Sequence, residues 1–207
     1  MEQVTVITHP LVQHNLARLR DKRTQPEEFR RCLSEVAALM VYEATRSFET
    51  LAVDVETPLA TARGQQLSRP VVLVPVLRAG LGMLNSILQL IPHAGVGFIG
   101  VKRDEATFRA EVYHKSLPED LSAFEVILID PMLATGGSAL AALQLVTDRK
   151  AHRIRLVSLV AAPEGIKNLR SRMPNVPIFV AAIDDRLNEK AYIVPGLGDA
   201  GDRLFGV

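Results

Sequence analysis

The chain has 207 residues, 48% of them hydrophobic, with 24 Lys and Arg against 23 Asp and Glu. That is enough apolar residue for a buried core in one domain. A formal net charge of +1, without a basic block, argues against a surface that wraps nucleic acid. No apolar run nears the roughly 20 residues that cross a bilayer, and Cys32, the one cysteine, can form no disulfide within the chain and suits a reducing cytosol.

The opening MEQVTVITHP lacks the basic-then-apolar layout of a signal peptide, so a cytoplasmic protein is expected. Residues 9–48 read as helical. Leu11, Leu16 and Leu19 keep a rough helical spacing, and Pro26 suits the start of a second helix. Phe29, Leu33, Val36, Ala37, Met40 and Val41 then form an apolar stripe for core or subunit packing. Residues 60–70 are polar and receive no element.

From residue 71 the period changes. VVLVPVL (71–77), GVGFIGV (95–101), FEVILID (124–130), RIRLVSLVAA (153–162) and PIFVAAI (177–183) are continuous apolar runs. Such runs suit strands buried on both faces of a parallel sheet. Helical stretches, Leu81 to Leu90, Ser138 to Arg149 and Gly165 to Arg172, fall between them. The alternation predicts an α/β fold with a doubly wound, mainly parallel sheet. Its core spans about 70–183, after a helical N-terminal region (1–50) and before a C-terminal segment, about 184–207. The charged segment 102–120 is a long excursion, a mobile loop or a hairpin, of the length that lids have.

The stretch that carries chemistry is VILIDPMLATGGSALAALQLV. An apolar strand ends at Asp130, and a short turn leads to a helix start near Ser138. Open α/β sheets bind ligands at the carboxyl ends of their strands. Gly136 and Gly137 let the backbone turn tightly so that N–H groups converge, and the helix dipole adds positive charge. Thr135 and Ser138 add hydroxyl donors, so a phosphate monoester fits there. The turn lacks the Lys that a nucleotide-binding P-loop needs. A plain tight turn capped by Ser138 is the structural alternative. The five histidines show no metal-ligand spacing.

DPMLATGGS resembles the ribose-phosphate loop of the uracil phosphoribosyltransferases, a branch of the type I phosphoribosyltransferases. Many relatives carry two adjacent acids at its head, whereas here Pro131 follows Asp130, as in the uracil branch. PVLRAGLGM (75–83) resembles the loop that receives pyrophosphate, and in the family that loop can hold a cis peptide, here Leu77–Arg78. Arg103 in VKRDEAT (101–107) corresponds to a second pyrophosphate arginine. YIVPGLGDAGDRLFGV (192–207) resembles the uracil-binding tail, and the resemblance implies that the C-terminal segment, about 184–207, is a small hood. Gly196, Gly198 and Gly201 in that tail also spell GxGxxG. A dinucleotide fingerprint must open a helix within a βαβ unit, and here the sequence ends six residues later.

The resemblance spans nearly the whole sequence and implies transfer of ribose phosphate from 5-phosphoribosyl 1-diphosphate to uracil, giving UMP and diphosphate. It assigns the donor to Arg78, Ala79, Gly80, Arg103, Asp130, Pro131, Met132, Leu133, Ala134, Thr135, Gly136, Gly137, Ser138 and Asp199. It assigns uracil to Ile193, Gly198, Asp199 and Ala200. Arg78, Asp130 and Asp199 are the candidate catalytic groups. Asp199 either stabilises positive charge at C1′ or assists loss of the N1 proton. Mg²⁺ is the expected cofactor, held mainly by the diphosphate and water rather than by the chain. The resemblance also implies a homodimer or larger homo-oligomer. It raises GTP as an effector, although no separate nucleotide motif is visible. Nucleic acid and membrane are not expected partners. Rival readings are a nucleotide-sensing regulator, which the near-neutral charge disfavours, and a purine or orotate enzyme. Orotate would want a cation near PGLGDAG, and a purine would stack on Tyr192 or Phe205.

Overall fold

A computed structural model describes residues 4–103 and 110–207, and Arg103 only at its backbone. A short strand, β1 (Val4–Val6), leads into helix α1 (Pro10–Arg20). Pro10 stands in its first turn, and His9 caps it by accepting from the Leu11 N–H at 3.2 Å. Helix α2 (Pro26–Ala44) also begins on proline, and Glu27 and Glu28 meet the positive end of its dipole. The helical region thus divides at 21–25 and stops at Ala44, short of residue 48. Phe29, Leu33, Val36, Ala37 and Met40 of α2 are fully buried. Phe29, Leu33, Val36 and Met40 each contribute about 1.5–3 kcal/mol. Helix propensities differ by only about 0.7 kcal/mol per residue, so the stripe sets how α2 lies.

Next comes a hairpin, β2 (Thr50–Glu56) and β3 (Thr61–Leu67), antiparallel and largely exposed. The sequence reading gave these residues no strands, because neither face is covered and polar residues dominate 61–66. Then β4 (Val71–Leu77), α3 (Leu81–Leu90), β5 (Gly95–Val96) and β6 (Phe98–Arg103) follow. The single expected strand at 95–101 is divided at Gly97, whose N–H bonds to Leu73 O at 2.9 Å. Strand β7 (Ala110–Ser116) pairs antiparallel with β6, so the charged excursion is a hairpin. Residues 104–109, the tip of the expected lid, lie outside the described residues.

The remaining elements are β8 (Glu125–Ile129), β9 (Met132–Leu133), α4 (Gly137–Asp148), β10 (Arg153–Ala161), α5 (Pro163–Arg172), β11 (Ile178–Ile183), β12 (Arg186–Leu187), β13 (Ile193–Val194) and α6 (Ala200–Phe205). The main sheet runs β1-β11-β10-β8-β4-β6-β7, with β5 beside β4 and β9 beside β10. All its pairings are parallel except β6 with β7.

Alternation explains the continuous apolar runs. Val71 and Leu73 of β4 join the core shared with α1, α2, α3 and α6. Val72, Val74 and Val76 join the core shared with α4 and α5. Ile127 and Ile129 against Val126 and Leu128 repeat the division in β8. Both faces are buried, so both are apolar. Among the described residues, no helix is long and apolar enough to cross a membrane.

Candidate active site

Two crossovers diverge at the middle of the sheet. From β4 the chain passes through α3 on one face to β6; from β8 it passes through α4 on the other face to β10. The adjacent carboxyl ends of β4 and β8 are therefore a topological switch point, where such sheets bind ligands. A cleft of about 290 Å³ opens there. Its walls are Val76 to Ala79, Asp130 with Met132 to Ala139, and Ala191 to Ile193 with Gly198 to Gly201.

The β8–α4 turn forms the floor. Gly136 takes φ +80° as the N-cap of α4, a conformation that favours glycine. A Cβ there would also lie 2.9 Å from Gly165 O. The first turn of α4, Gly137 to Ala139, lines the cleft, and a helix start offers N–H groups and the positive end of a dipole to an anion. Asp130 is 9% exposed. Burial pushes its carboxyl up to about 7, against the lowering effect of a long 3.4 Å bond from the Met132 N–H. Ser158, fully buried on β10, donates to Asp130 O at 2.6 Å and fixes the head of the turn.

Arg78 follows β4 across a cis Leu77–Arg78 peptide and is exposed on the cleft wall. Its guanidinium stands 5.8 Å from the Phe205 ring centroid. Gly80 lies behind this loop. A Cβ on it would fall 2.7 Å from both Ile129 O and Val76 O, so glycine lets the loop press onto the sheet.

The third wall is the C-terminal hood. Val194–Pro195 is cis, and Gly196, Gly198 and Gly206 have positive φ. Gly196 admits no Cβ, which would stand 2.1 Å from Ile193 O. Asp199 is the N-cap of α6, and its Oδ1 accepts from the Asp202 N–H at 3.0 Å. The hood is tied to α1. Arg20 donates to Asp184 at 2.8 and 2.5 Å and to Gly196 O at 2.8 Å, while Asp184 accepts from the Gly196 N–H at 2.8 Å. Arg203 donates to the carbonyls of Leu19, Leu197 and Asp21.

Most of the site residues expected from sequence line this one cleft: Arg78, Ala79, Asp130, Met132 to Ser138, Ile193, Gly198, Asp199 and Ala200. Gly80 and Pro131 do not line it. Both are buried, and Pro131 O accepts from the N–H groups of Leu159 and Val160; each supports the wall from behind. Arg103 ends β6, and its side chain is outside the described residues. Sequence reasoning missed Val76, Leu77, Val101, Ala139, Ala191 and Gly201 as lining residues, and the supports Ser158, Gly165, Asn168 and Asp184. Tyr192, weighed as a stacking ring, lines the cleft; Phe205 instead faces Arg78.

This sheet order, with a helix start facing a hooded cleft at the switch point, has the architecture of the type I phosphoribosyltransferases. A hypoxanthine phosphoribosyltransferase from Staphylococcus aureus shares the fold, with a TM-score of 0.51 at 18% identity over 85% of this chain and 82% of that one. Residues 6–207 match the model of the family described as uracil phosphoribosyltransferase, and the chain belongs to that family. It is similar to a uracil phosphoribosyltransferase of Clostridium tetani, 54% identical over 100% of this chain and 99% of that protein. The solved AQ2163 protein of Aquifex aeolicus superposes with a TM-score of 0.94 at 40% identity, covering 99% of this chain and 98% of that one.

Proposed function

We propose that the cleft transfers the 5-phosphoribosyl group of 5-phospho-α-D-ribose 1-diphosphate to the N1 of uracil, forming UMP and releasing diphosphate. One observation carries this reading: the phosphate turn, the Arg78 loop and the glycine-rich hood, distant in sequence, line a single cleft of about 290 Å³. The bond from C1′ to the diphosphate oxygen breaks as the bond from C1′ to N1 forms, and uracil loses its N1 proton. The turn Thr135 to Ser138 would hold the 5′-phosphate, and Asp130 the ribose hydroxyls. Arg78 would draw negative charge onto the leaving diphosphate. Arg103 would share that charge. Asp199, at the base end of the cleft, would stabilise positive charge at C1′ or take up the N1 proton. Holding both substrates in one orientation supplies much of the acceleration.

Uracil presents two carbonyl acceptors and an N3–H. The Ile193 carbonyl and the N–H groups of Gly198 to Ala200 would read that pattern, and cytosine would leave a buried group unpaired at about 1–3 kcal/mol each. Arg78 is the one cationic side chain lining the cleft among the described residues, so the orotate carboxylate lacks a second cation there.

The donor set fits Mg²⁺ carried in with the diphosphate. Asp130 and Asp199 are the acids on the described lining, and no group of three His, Cys, Asp or Glu that could hold a metal occurs among the described residues. Bound to diphosphate oxygens and water, Mg²⁺ would neutralise charge on the leaving group. GTP as an effector rests on the resemblance alone, and no residue is assigned to it. A homo-oligomer is supported by exposed Leu51, Val55, Leu59 and Leu67 on the β2–β3 hairpin, Leu59 being 97% exposed. A cytoplasmic enzyme is in keeping with the lone cysteine.

The test is a panel of uracil, cytosine, orotate, hypoxanthine and adenine with the same ribosyl donor, with and without Mg²⁺. UMP as the dominant product is expected. Equal turnover of another base would sink the assignment.

A further inference from the structure

Helix α5 touches both halves of the cleft, although Glu164, Gly165 and Asn168 do not line it. Asn168 Nδ2 donates to Thr135 O at 2.8 Å. Gly165 lies so close to the turn that a Cβ on it would fall 2.3 Å from Ala134 O and 2.7 Å from Leu133 O. At the other end, Glu164 Oε1 accepts from the Leu187 N–H at 3.0 Å. Leu187 pairs with Ile193, which lines the base end of the cleft. Backbone N–H bonding at Leu187, the largest influence, holds the Glu164 carboxyl below the usual range.

The planarity of the peptide bond gives the Asn168 contact its consequence. In a trans peptide, the C=O of one residue and the N–H of the next point in opposite directions. Fixing Thr135 O toward α5 therefore aims the Gly136 N–H away from α5, and Gly136 is one of the residues that line the cleft. The close approach at Gly165 lets α5 lie near enough to do this. Packing alone does not call for an amide at 168, since the fully buried Leu169 already anchors the helix in the core.

We propose that α5 is a positioning element for both substrates, Asn168 setting the phosphate turn for the ribosyl donor and Glu164 setting the hood for uracil. This rests on the functional reading above. Neither residue is catalytic, because neither touches the reacting atoms. The signature is a crossed pattern of effects that general loosening of the fold would not give.

Steady-state kinetics of the full chain would vary each substrate in turn. Asn168→Leu keeps the approximate shape and removes the donor group. It should raise the KM for the ribosyl donor about three- to tenfold, as expected for one lost hydrogen bond, and leave the uracil KM within about twofold. Glu164→Ala should do the reverse, raising the uracil KM about threefold. Glu164→Gln, which keeps a carbonyl acceptor, should restore it. Calorimetry with ribose 5-phosphate gives a readout independent of turnover, and Asn168→Leu should weaken that binding by the same factor. If thermal unfolding shows Asn168→Leu to be unfolded, Asn168→Ser takes its place with the same expectations. An unchanged donor KM with unchanged ribose 5-phosphate binding, or equal rises in both KM values, overturns the proposal while UMP formation stands. Absence of UMP formation by the unsubstituted enzyme overturns the functional reading, and the proposal with it.

Discussion

The guanidinium of Arg78 stands over the ring of Phe205, 5.8 Å from its centroid. Phe205 is the last residue of α6, and the helix begins directly after Asp199. One short helix therefore runs from the end of the cleft proposed for the base to the arginine proposed for the diphosphate. Its seat is well defined. Arg30 donates to Leu204 O at 2.9 Å, and Leu204 lies where a Cβ on Gly82 would approach to 2.7 Å.

Removing the ring should loosen Arg78 without removing its charge. Phe205→Ala is expected to raise the donor KM about two- to fivefold, the scale of a cation–π contact of about 0.5–1 kcal/mol. Phe205→Tyr should keep the unsubstituted value. Arg78→Ala loses the charge itself and should raise the donor KM more than tenfold, about 1.4 kcal/mol or more, with little change for uracil. Steady-state kinetics separates these cases, and equal effects of Arg78→Ala on both substrates would remove Arg78 from the diphosphate.

Asp199 has two duties that a single substitution divides. Its Oδ1 caps α6, and Asn caps a helix about as well as Asp. Asp199→Asn should therefore leave the unfolding midpoint nearly unchanged. If the carboxylate assists proton loss or stabilises charge at C1′, kcat should fall at least about a hundredfold. Turnover near that of the unsubstituted enzyme would leave Asp199 a capping residue only.

The buried Asp130 makes stability depend on pH in a fixed direction. Its carboxyl moves from 3.8 to about 7 because burial disfavours the charged form. Between those values the folded chain binds the proton more tightly than the unfolded chain. Stability contributed by this group therefore falls as pH rises through the window, and the loss is complete above about 7. Asp130→Asn stays uncharged throughout. Relative to that variant, the unsubstituted protein should lose up to about 4 kcal/mol between about pH 4 and pH 8. Denaturant unfolding across that range checks it, and parallel stability curves for the two proteins would contradict it.

What the sequence made legible follows from how locally each feature is encoded. The runs 71–77 and 177–183 became β4 and, without Pro177, β11, because burial on both faces of a sheet leaves an unbroken apolar run, and Leu81–Leu90 became α3 without change, one face of it buried through Met83, Leu84 and Ile87. The β8–α4 turn was legible as a glycine turn opening a helix because Gly136, Gly137 and the helix start lie next to one another. Its supports were not. Asn168 is 33 residues from Thr135, Ser158 is 28 from Asp130, and Asp184 is 164 from Arg20. A polar residue that satisfies a distant backbone group has no local signature. The β2–β3 hairpin escaped for the opposite reason, since its residues are mostly exposed and its pairing is internal.

The attachment of the hood to α1 lends itself to a test that separates folding from binding. The Asp184 side chain is 4% exposed and that of Arg20 is 25% exposed, so the pair is largely removed from water. Together they hold both backbone groups of Gly196, its carbonyl through Arg20 and its N–H through Asp184. Arg20→Leu leaves a buried, uncompensated carboxylate and should cost about 3–5 kcal/mol of stability. The double variant Arg20→Met, Asp184→Leu removes both charges, and replacing a buried pair by apolar groups is often neutral. Its unfolding midpoint should return most of the way to the original. Gly196 would still have lost both partners, so the hood would be poorly fixed, and the uracil KM should stay raised about fivefold or more while the donor KM changes little. Recovery of the original uracil KM in the stable double variant would mean that the pair serves folding alone.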